Sequence, residues 1–145
     1  MIHKKINTMT ISDYDEVYGL WTKTSGIGLR SLDDSKEGID KFLKRNPETN
    51  FVYRINDDIV GVILCGHDGR RGYIYHAAVD SSFRNQGIGK QLLDSVISSL
   101  EKEGIKKVAL VAYIKNTVGN EFWKSSGFVN REDLTYRDKS IDSLN

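Results

Sequence analysis

The sequence predicts an α/β domain of the α+β kind, in three layers. Its mixed central sheet begins as an antiparallel N-terminal meander and is flanked by helices. Three observations carry this. Three runs rich in β-branched and aromatic residues, Phe51–Ile55, Ile59–Cys65 and Tyr73–Val79, are separated only by the turn signals Asn56-Asp57-Asp58 and His67–Gly72, the pattern of hairpin-linked strands. The apolar period then changes: Ile88, Leu92, Leu93, Val96, Ile97 and Leu100 recur at helical spacing over Asn85–Glu103. A further run, Lys107–Tyr113, returns to strand character. Runs of strands with flanking helices close into layers.

In chain order, Ile2–Thr10 reads as a short strand. Ser12 is placed as the N-cap of a helix with Val17, Leu20 and Trp21 on one stripe. Thr22–Asp34 is a Gly/Ser-containing loop. Lys36–Arg45 is a helix with Ile39, Phe42 and Leu43 apolar, and it stops before Pro47. In the third strand of the meander, simple alternation puts Tyr73, Tyr75 and Ala77 on one face and Ile74, His76 and Ala78 on the other. The long helix turns Lys90, Asp94, Ser98 and Lys102 outward and ends on Gly104. After the buried-looking strand Lys107–Tyr113 come a short helix, Glu121–Ser125, and a last strand, Leu134–Tyr136.

All 145 residues are read as one domain, 1–145, since no linker, repeat or low-complexity segment divides them. With 21 Lys and Arg against 20 Asp and Glu, the net charge of +1 offers no field to gather nucleic acid or anionic lipid. No apolar stretch reaches the roughly 18 residues of a spanning helix, and the N-terminus has no signal-peptide run. A cytoplasmic protein without membrane or nucleic-acid partners is expected. The single cysteine, Cys65, fits a reducing compartment. Cys65 and His67 share a strand face, but Val62, Ile63 and Leu64 make a packed thiol the better reading than a nucleophile. His3, His67 and His76 lack ligand spacing, so no metal site is expected.

The chemistry lies in Val79–Lys90, which joins a strand end to the first turn of the long helix. Helix N-termini leave backbone N–H groups unpaired and carry about half a positive charge. Gly87 and Gly89 remove side chains where an anion must approach that backbone, and Arg84 and Lys90 add charge on either side. This is a phosphate site. A dinucleotide fingerprint fails, because its third glycine position is Leu92 and the preceding strands are hairpin-linked. A Walker loop fails as well, with Arg84 where its first glycine belongs and Gln91 where Ser or Thr belongs.

What remains, Arg84-x-x-Gly87-x-Gly89 after an antiparallel strand, resembles the acyl-CoA pyrophosphate loop of the GNAT superfamily of N-acetyltransferases. Asn116-x-x-Gly119-x-x-Phe122-Trp123-x-x-x-Gly127-Phe128 is similar to that family's second motif, and the order of elements matches along essentially the whole chain. The resemblance implies acetyl-CoA as co-substrate, held by Arg84, Asn85, Gln86, Gly87, Ile88, Gly89 and Lys90 at its pyrophosphate. It assigns the pantetheine arm to the backbone of Ala78 and Val79 and to Asn116. Phe122 and Trp123 stand beside the end of that arm, Trp123 where relatives often place a tyrosine acid. It further implies a small-molecule or peptide amine as acceptor, near Asp33, Asp34, Glu37 and Asp40, and a homodimer.

Relatives carry a general base on the strand that here holds Tyr75 and His76, and no carboxylate stands there. Those two residues are the catalytic candidates, as holders of a water chain. The rival is a non-catalytic acyl-CoA-binding or regulatory domain that kept the fold and lost the base and the tyrosine.

Overall fold

The computed structural model describes residues 1–145. Its five-stranded sheet has the order β1-β2-β3-β4-β5, with β1 at Lys4–Thr8, β2 at Phe51–Ile55, β3 at Asp58–His67, β4 at Gly72–Val79 and β5 at Val108–Leu110. The first four strands are antiparallel neighbours and β5 runs parallel to β4. Turn chemistry sets the β2–β3 register: Asn56 and Asp57 both adopt positive φ (50° and 71°), the left-handed pair a tight hairpin needs. The helices are α1 (Tyr14–Thr22), α2 (Lys36–Arg45), α3 (Ile88–Lys102) and α4 (Thr117–Ser125).

Two cores form because the strands bury both faces. On one face Val17, Leu20, Trp21, Ile39 and Leu43 of α1 and α2 pack on Val52, Val62, Leu64 and Ala78. On the other, Ile88, Leu92, Val96 and Leu100 of α3 pack on Tyr53, Ile63, Cys65 and Ile74. This is the three-layer arrangement expected from the patterning, and burial of these side chains is its main stabilising term.

Four local expectations are corrected. Thr10, not Ser12, starts the first helical segment: its N–H donates to the Asp13 carboxylate at 3.0 Å across a single 3-10 turn, Ile11–Asp13, that runs into α1. α4 begins at Thr117 rather than Glu121, because the Asn116 side chain caps it by accepting from Gly119 N–H at 3.0 Å. β5 covers only Val108–Leu110 of the predicted Lys107–Tyr113, its Val108 and Leu110 are only partly buried, and Val111 and Tyr113 beyond it are exposed. Leu134–Tyr136 is not a strand. Its two apolar residues alternate, yet β5 offers a pairing edge too short to recruit them, and both side chains are exposed.

The correction that matters most for function lies in β4. Ile63 pairs with Ala77 and Cys65 with Ile74, so two β4 residues, Tyr75 and His76, stand opposite the single residue Leu64. This is a β-bulge. Alternation is broken, and Tyr75 and His76 both project toward the α1/α2 side, where Tyr75 meets Phe42 and His76 meets Trp21. A bulge also bends and twists its strand. Pairing of β4 with β5 ends at Ile74↔Leu110, directly before it.

Seating of α3 depends on one missing side chain. A Cβ at Gly61 would lie 3.0 Å from both Ile88 Cγ2 and Leu92 Cδ1. Gly61→Val is therefore expected to destabilise the fold by about 1–3 kcal/mol, as overpacking does, read as a lower midpoint in chemical denaturation. An unchanged midpoint would mean α3 does not rest on this strand position.

Candidate functional site

Beyond the bulge, β4 continues alone on the side from which β5 has parted. Asp80 N–H donates to the Val60 carbonyl at 2.8 Å, and backbone groups alternate along an antiparallel strand. Asp80 and Ala78 therefore face β3, while Ala77 and Val79 turn their N–H and C=O groups outward. The Arg84 Nε, 3.4 Å from the Val79 carbonyl, lies on that open side. Of the two residues read as a backbone edge, Val79 presents its groups and Ala78 does not; Ala77 takes its place. The Ala78 side chain is buried in the α1/α2 core.

The gap between the two strands is a cleft of about 1270 Å³. Its floor is Ala77–Val79 and the start of α3, its far wall Ala112–Gly119 with Phe122 and Trp123, and its roof Thr24–Ile27 of the α1–α2 loop. The roof can approach because two glycines carry no side chain. A Cβ at Gly26 would fall 2.6 Å from Asn116 Nδ2, and one at Gly28 would strike the Tyr113 ring. Lys23 closes the same side, with its Nζ 2.8 Å from the Asp80 carboxylate. That ammonium is the first reason the Asp80 carboxyl sits below its ordinary range. Sequence reasoning missed this roof, since contacts between residues 26–28 and 113–116 leave no local mark.

At the far end of the cleft Gly87 takes φ +78° and Asn85 φ +63°, turning the chain into α3. The first in-helix bond is Gln91 N–H to the Gly87 carbonyl. The N–H groups of Ile88, Gly89 and Lys90 consequently have no helical acceptor and face the cleft mouth. The two glycines do different work. Gly87 supplies the left-handed backbone with open space around it, whereas a Cβ at Gly89 would stand 3.2 Å from the Phe122 ring. Gly89 thus seats α4 against α3, and through it Phe122 and Trp123, whose rings cross at 4.9 Å. Asn116 spends its carbonyl on the α4 cap, and its Nδ2 remains a donor beside the roof. Lys90 is exposed and lies 3.7 Å from Asp94, one turn on. Of the predicted loop residues, Arg84, Asn85, Gly87, Ile88, Gly89 and Lys90 line the cleft, together with Asn116, Phe122 and Trp123, and Gln86 does not.

The catalytic candidates sit behind the splay rather than along it. His76 Nε2 is 2.9 Å from Asp34 Oδ1, with both side chains largely buried, and the Trp21 ring crosses the imidazole edge-on at 5.0 Å. Asp34 also accepts from Arg30 N–H at 2.6 Å, and its carbonyl accepts from the Tyr14 hydroxyl at 2.6 Å. His76 therefore fastens the α1–α2 loop to β4. Tyr75 stays half exposed. Burial first, then Asp33, pushes its phenol above the ordinary range, so it is protonated at neutral pH and cannot serve as a base.

Cys65 and His67 do not form a pair. The His67 Nε2 meets Glu103 at 2.8 Å, and its Nδ1 accepts from Gly69 N–H. Cys65 is fully buried, and burial pushes its thiol up to about 12.

The acetyltransferase (GNAT) family model matches residues 14–128. An acetyltransferase of Pectobacterium atrosepticum is 31% identical over 99 residues, covering 68% of this chain and 69% of that protein. Among solved structures, Ard1 from Thermoplasma volcanium superposes with TM-score 0.77 at 24% identity, over 87% of this chain and 82% of that one. The PaiA N-acetyltransferase of Thermoplasma acidophilum, in complex with coenzyme A, gives TM-score 0.76 at 17% identity, over 98% and 94%. The aminoglycoside N-acetyltransferase AAC(6')-Iy, bound to a CoA–acetylneamine bisubstrate analogue, gives 0.76 at 17%, over 96% and 99%.

A thiol of this kind is chemically silent. A disulfide-exchange reagent at pH 8 is expected to leave Cys65 unmodified in the native protein and to titrate it fully after denaturation. Rapid labelling of the folded chain would show that the β3 core opens.

Proposed function

The chain belongs to the acetyltransferase (GNAT) family, acyl-CoA-dependent N-acetyltransferases, and from that premise we propose how its cleft carries the transfer. The donor lies along the outward edge of β4 as an added strand, its pantetheine amides pairing with Ala77 and Val79. Its pyrophosphate rests on the free N–H groups of α3 with Arg84 beside it. The one observation that carries this is the unpaired stretch Ala77–Val79, which leads from the bulge to the N-terminus of α3. With its phosphates at one end, the donor puts its thioester at the other, toward the bulge in β4.

The neutral acceptor amine, having lost a proton to water, attacks the thioester carbonyl. A C–N bond forms and a tetrahedral oxyanion develops, stabilised by an outward backbone N–H of β4. The C–S bond then breaks and coenzyme A leaves as thiolate, while the nitrogen loses its second proton to solvent. A thiol with a pKa of about 8.5 leaves with little help, so the indole of Trp123, a donor only, serves as a wall beside the acyl end. Of the two catalytic candidates, Tyr75 is assigned as a neutral hydroxyl donor at the reacting end, and His76 as a positioning residue for the loop above it.

The acceptor is read as a small-molecule or peptide amine, since relatives of this fold are solved with an aminoglycoside analogue and with a peptide. We further assign one domain over 1–145, action in the cytoplasm, and a homodimer, the last from the resemblance to the family alone. No helix is long and apolar enough to cross a membrane.

Turnover of acetyl-CoA with an amine panel tests the reading against that of a binding domain without chemistry, and an Arg84→Ala variant tests the donor placement. Losing one charge-assisted contact of about 1.5–3 kcal/mol is expected to weaken acetyl-CoA tenfold or more. Acetyl-pantetheine, which has no pyrophosphate, is expected to be used equally by both proteins. Equal losses with the two donors would remove Arg84 from the phosphate end.

A further inference from the structure

Three contacts fasten the roof loop over the cleft, and they fall in order along it. Lys23 meets Asp80 at 2.8 Å, just ahead of the loop that turns into α3. Gly26 lies on Asn116 in the middle. Gly28 meets Tyr113 at the end where β5 and β4 part. Tyr113 follows Leu110, the last paired residue of β5, by three positions, as Ala77 follows its partner Ile74. Beyond Gly28 the loop is pinned again: Arg30 N–H donates to Asp34 at 2.6 Å, and Asp34 holds His76 at 2.9 Å.

Neither core accounts for the contact between Tyr113 and Gly28, since Tyr113 belongs to neither and is exposed. It is nonetheless held in place. Its carbonyl accepts from Asn116 N–H and from Asn120 Nδ2, both at 3.0 Å, which fixes the backbone from which the ring projects. The ring lines the cleft, and its hydroxyl end reaches the roof. A Cβ at Gly28 would strike that hydroxyl and stand 3.2 Å from Cζ. Gly26 also needs its glycine for a φ of +86°, whereas Gly28 has no such backbone requirement. What Gly28 supplies is room for the tip of Tyr113.

We propose that Tyr113 sets the length of the donor's acyl group: its ring bars the cleft from wall to roof just past the thioester, admitting acetyl but not butyryl or longer chains. This deepens the acetyltransfer reading above and rests on it for a thioester lying toward the bulge. Packed side chains do not yield to extra methylenes without strain. With the loop pinned on both sides of Gly28, the roof is held down on the ring, and a longer chain would have to displace the ring itself. The neighbouring side chains at this end, Ala77 and Ala112, are small and set no limit of their own.

The test pairs turnover with binding. With an amine that is acetylated, wild-type kcat/KM for butyryl-CoA is expected to fall about tenfold or more below that for acetyl-CoA, the scale on which a closed pocket discriminates by methylenes. Tyr113→Ala should raise the butyryl-to-acetyl ratio at least tenfold. Tyr113→Phe, which keeps the ring, should leave that ratio within threefold of the wild type. Binding is read without chemistry, by calorimetry with the thioethers S-ethyl-CoA and S-butyl-CoA. The wild type should prefer S-ethyl-CoA tenfold or more, and Tyr113→Ala should cut that preference below threefold. This binding result supports the bar even if no amine is acetylated, an outcome that would sink only the transfer reading. A wild type that binds both thioethers equally, or a Tyr113→Ala variant that keeps the wild-type preference, would overturn the proposal and leave the donor site standing. No affinity for coenzyme A in any form would overturn both.

Discussion

The bulge at Tyr75 and His76 is the constraint on which the rest of the site depends. A single extra residue opposite Leu64 bends β4 away from β5 after Ile74. Without it the parallel ladder would continue, and the outward groups of Ala77 and Val79 would be satisfied by the neighbouring strand. With it, the sheet keeps two continuous cores and still presents a length of unpaired edge inside a cleft. The same extra residue turns two consecutive side chains to one side. His76 can then anchor the α1–α2 loop through Asp34 while Tyr75 remains open beside it.

Everything else positions chemistry at the two ends of that edge. At one end, Gly61 lets α3 lie close on β3, Gly87 turns the chain into the helix, and Gly89 admits Phe122. The result is a helix N-terminus with three free N–H groups pointing along the exposed strand. At the other end the roof loop, pressed onto Tyr113 and Asn116 through Gly28 and Gly26, bounds the space that the proposed mechanism assigns to acceptor and acyl group. Binding energy from the remote phosphate end can thus fix the thioester without any contact at the reacting carbon.

Most of the fold was legible because its signals are local. The helical period of Ile88 to Leu100, the hairpin at Asn56–Asp58 and the glycine-bearing start of α3 each follow from neighbouring residues. The loop Arg84–Lys90, which turns into α3 and lines the cleft, was legible for the same reason. The bulge was not, since Tyr75-His76 suits a regular strand as well as an irregular one, and counting by twos put the pair on opposite faces. Leu134–Tyr136 failed differently: the alternation is present, but strand formation needs a partner edge, and β5 ends after three residues. Gly89 was legible as a residue that must be small, though the ring of Phe122 is the structural reason.

Amide hydrogen exchange at Ala77, Ala78 and Val79, with and without coenzyme A, tests the central claim most directly. Alternation along β4 gives the three consecutive amides different fates. Ala78, already bonded toward β3, should be protected in both states, whereas Ala77 and Val79 should exchange quickly in the free protein and slow at least tenfold when the donor is bound. Slow exchange at all three amides in the free protein, or no change at Ala77 and Val79 on binding, would contradict an open β4 edge as the donor site.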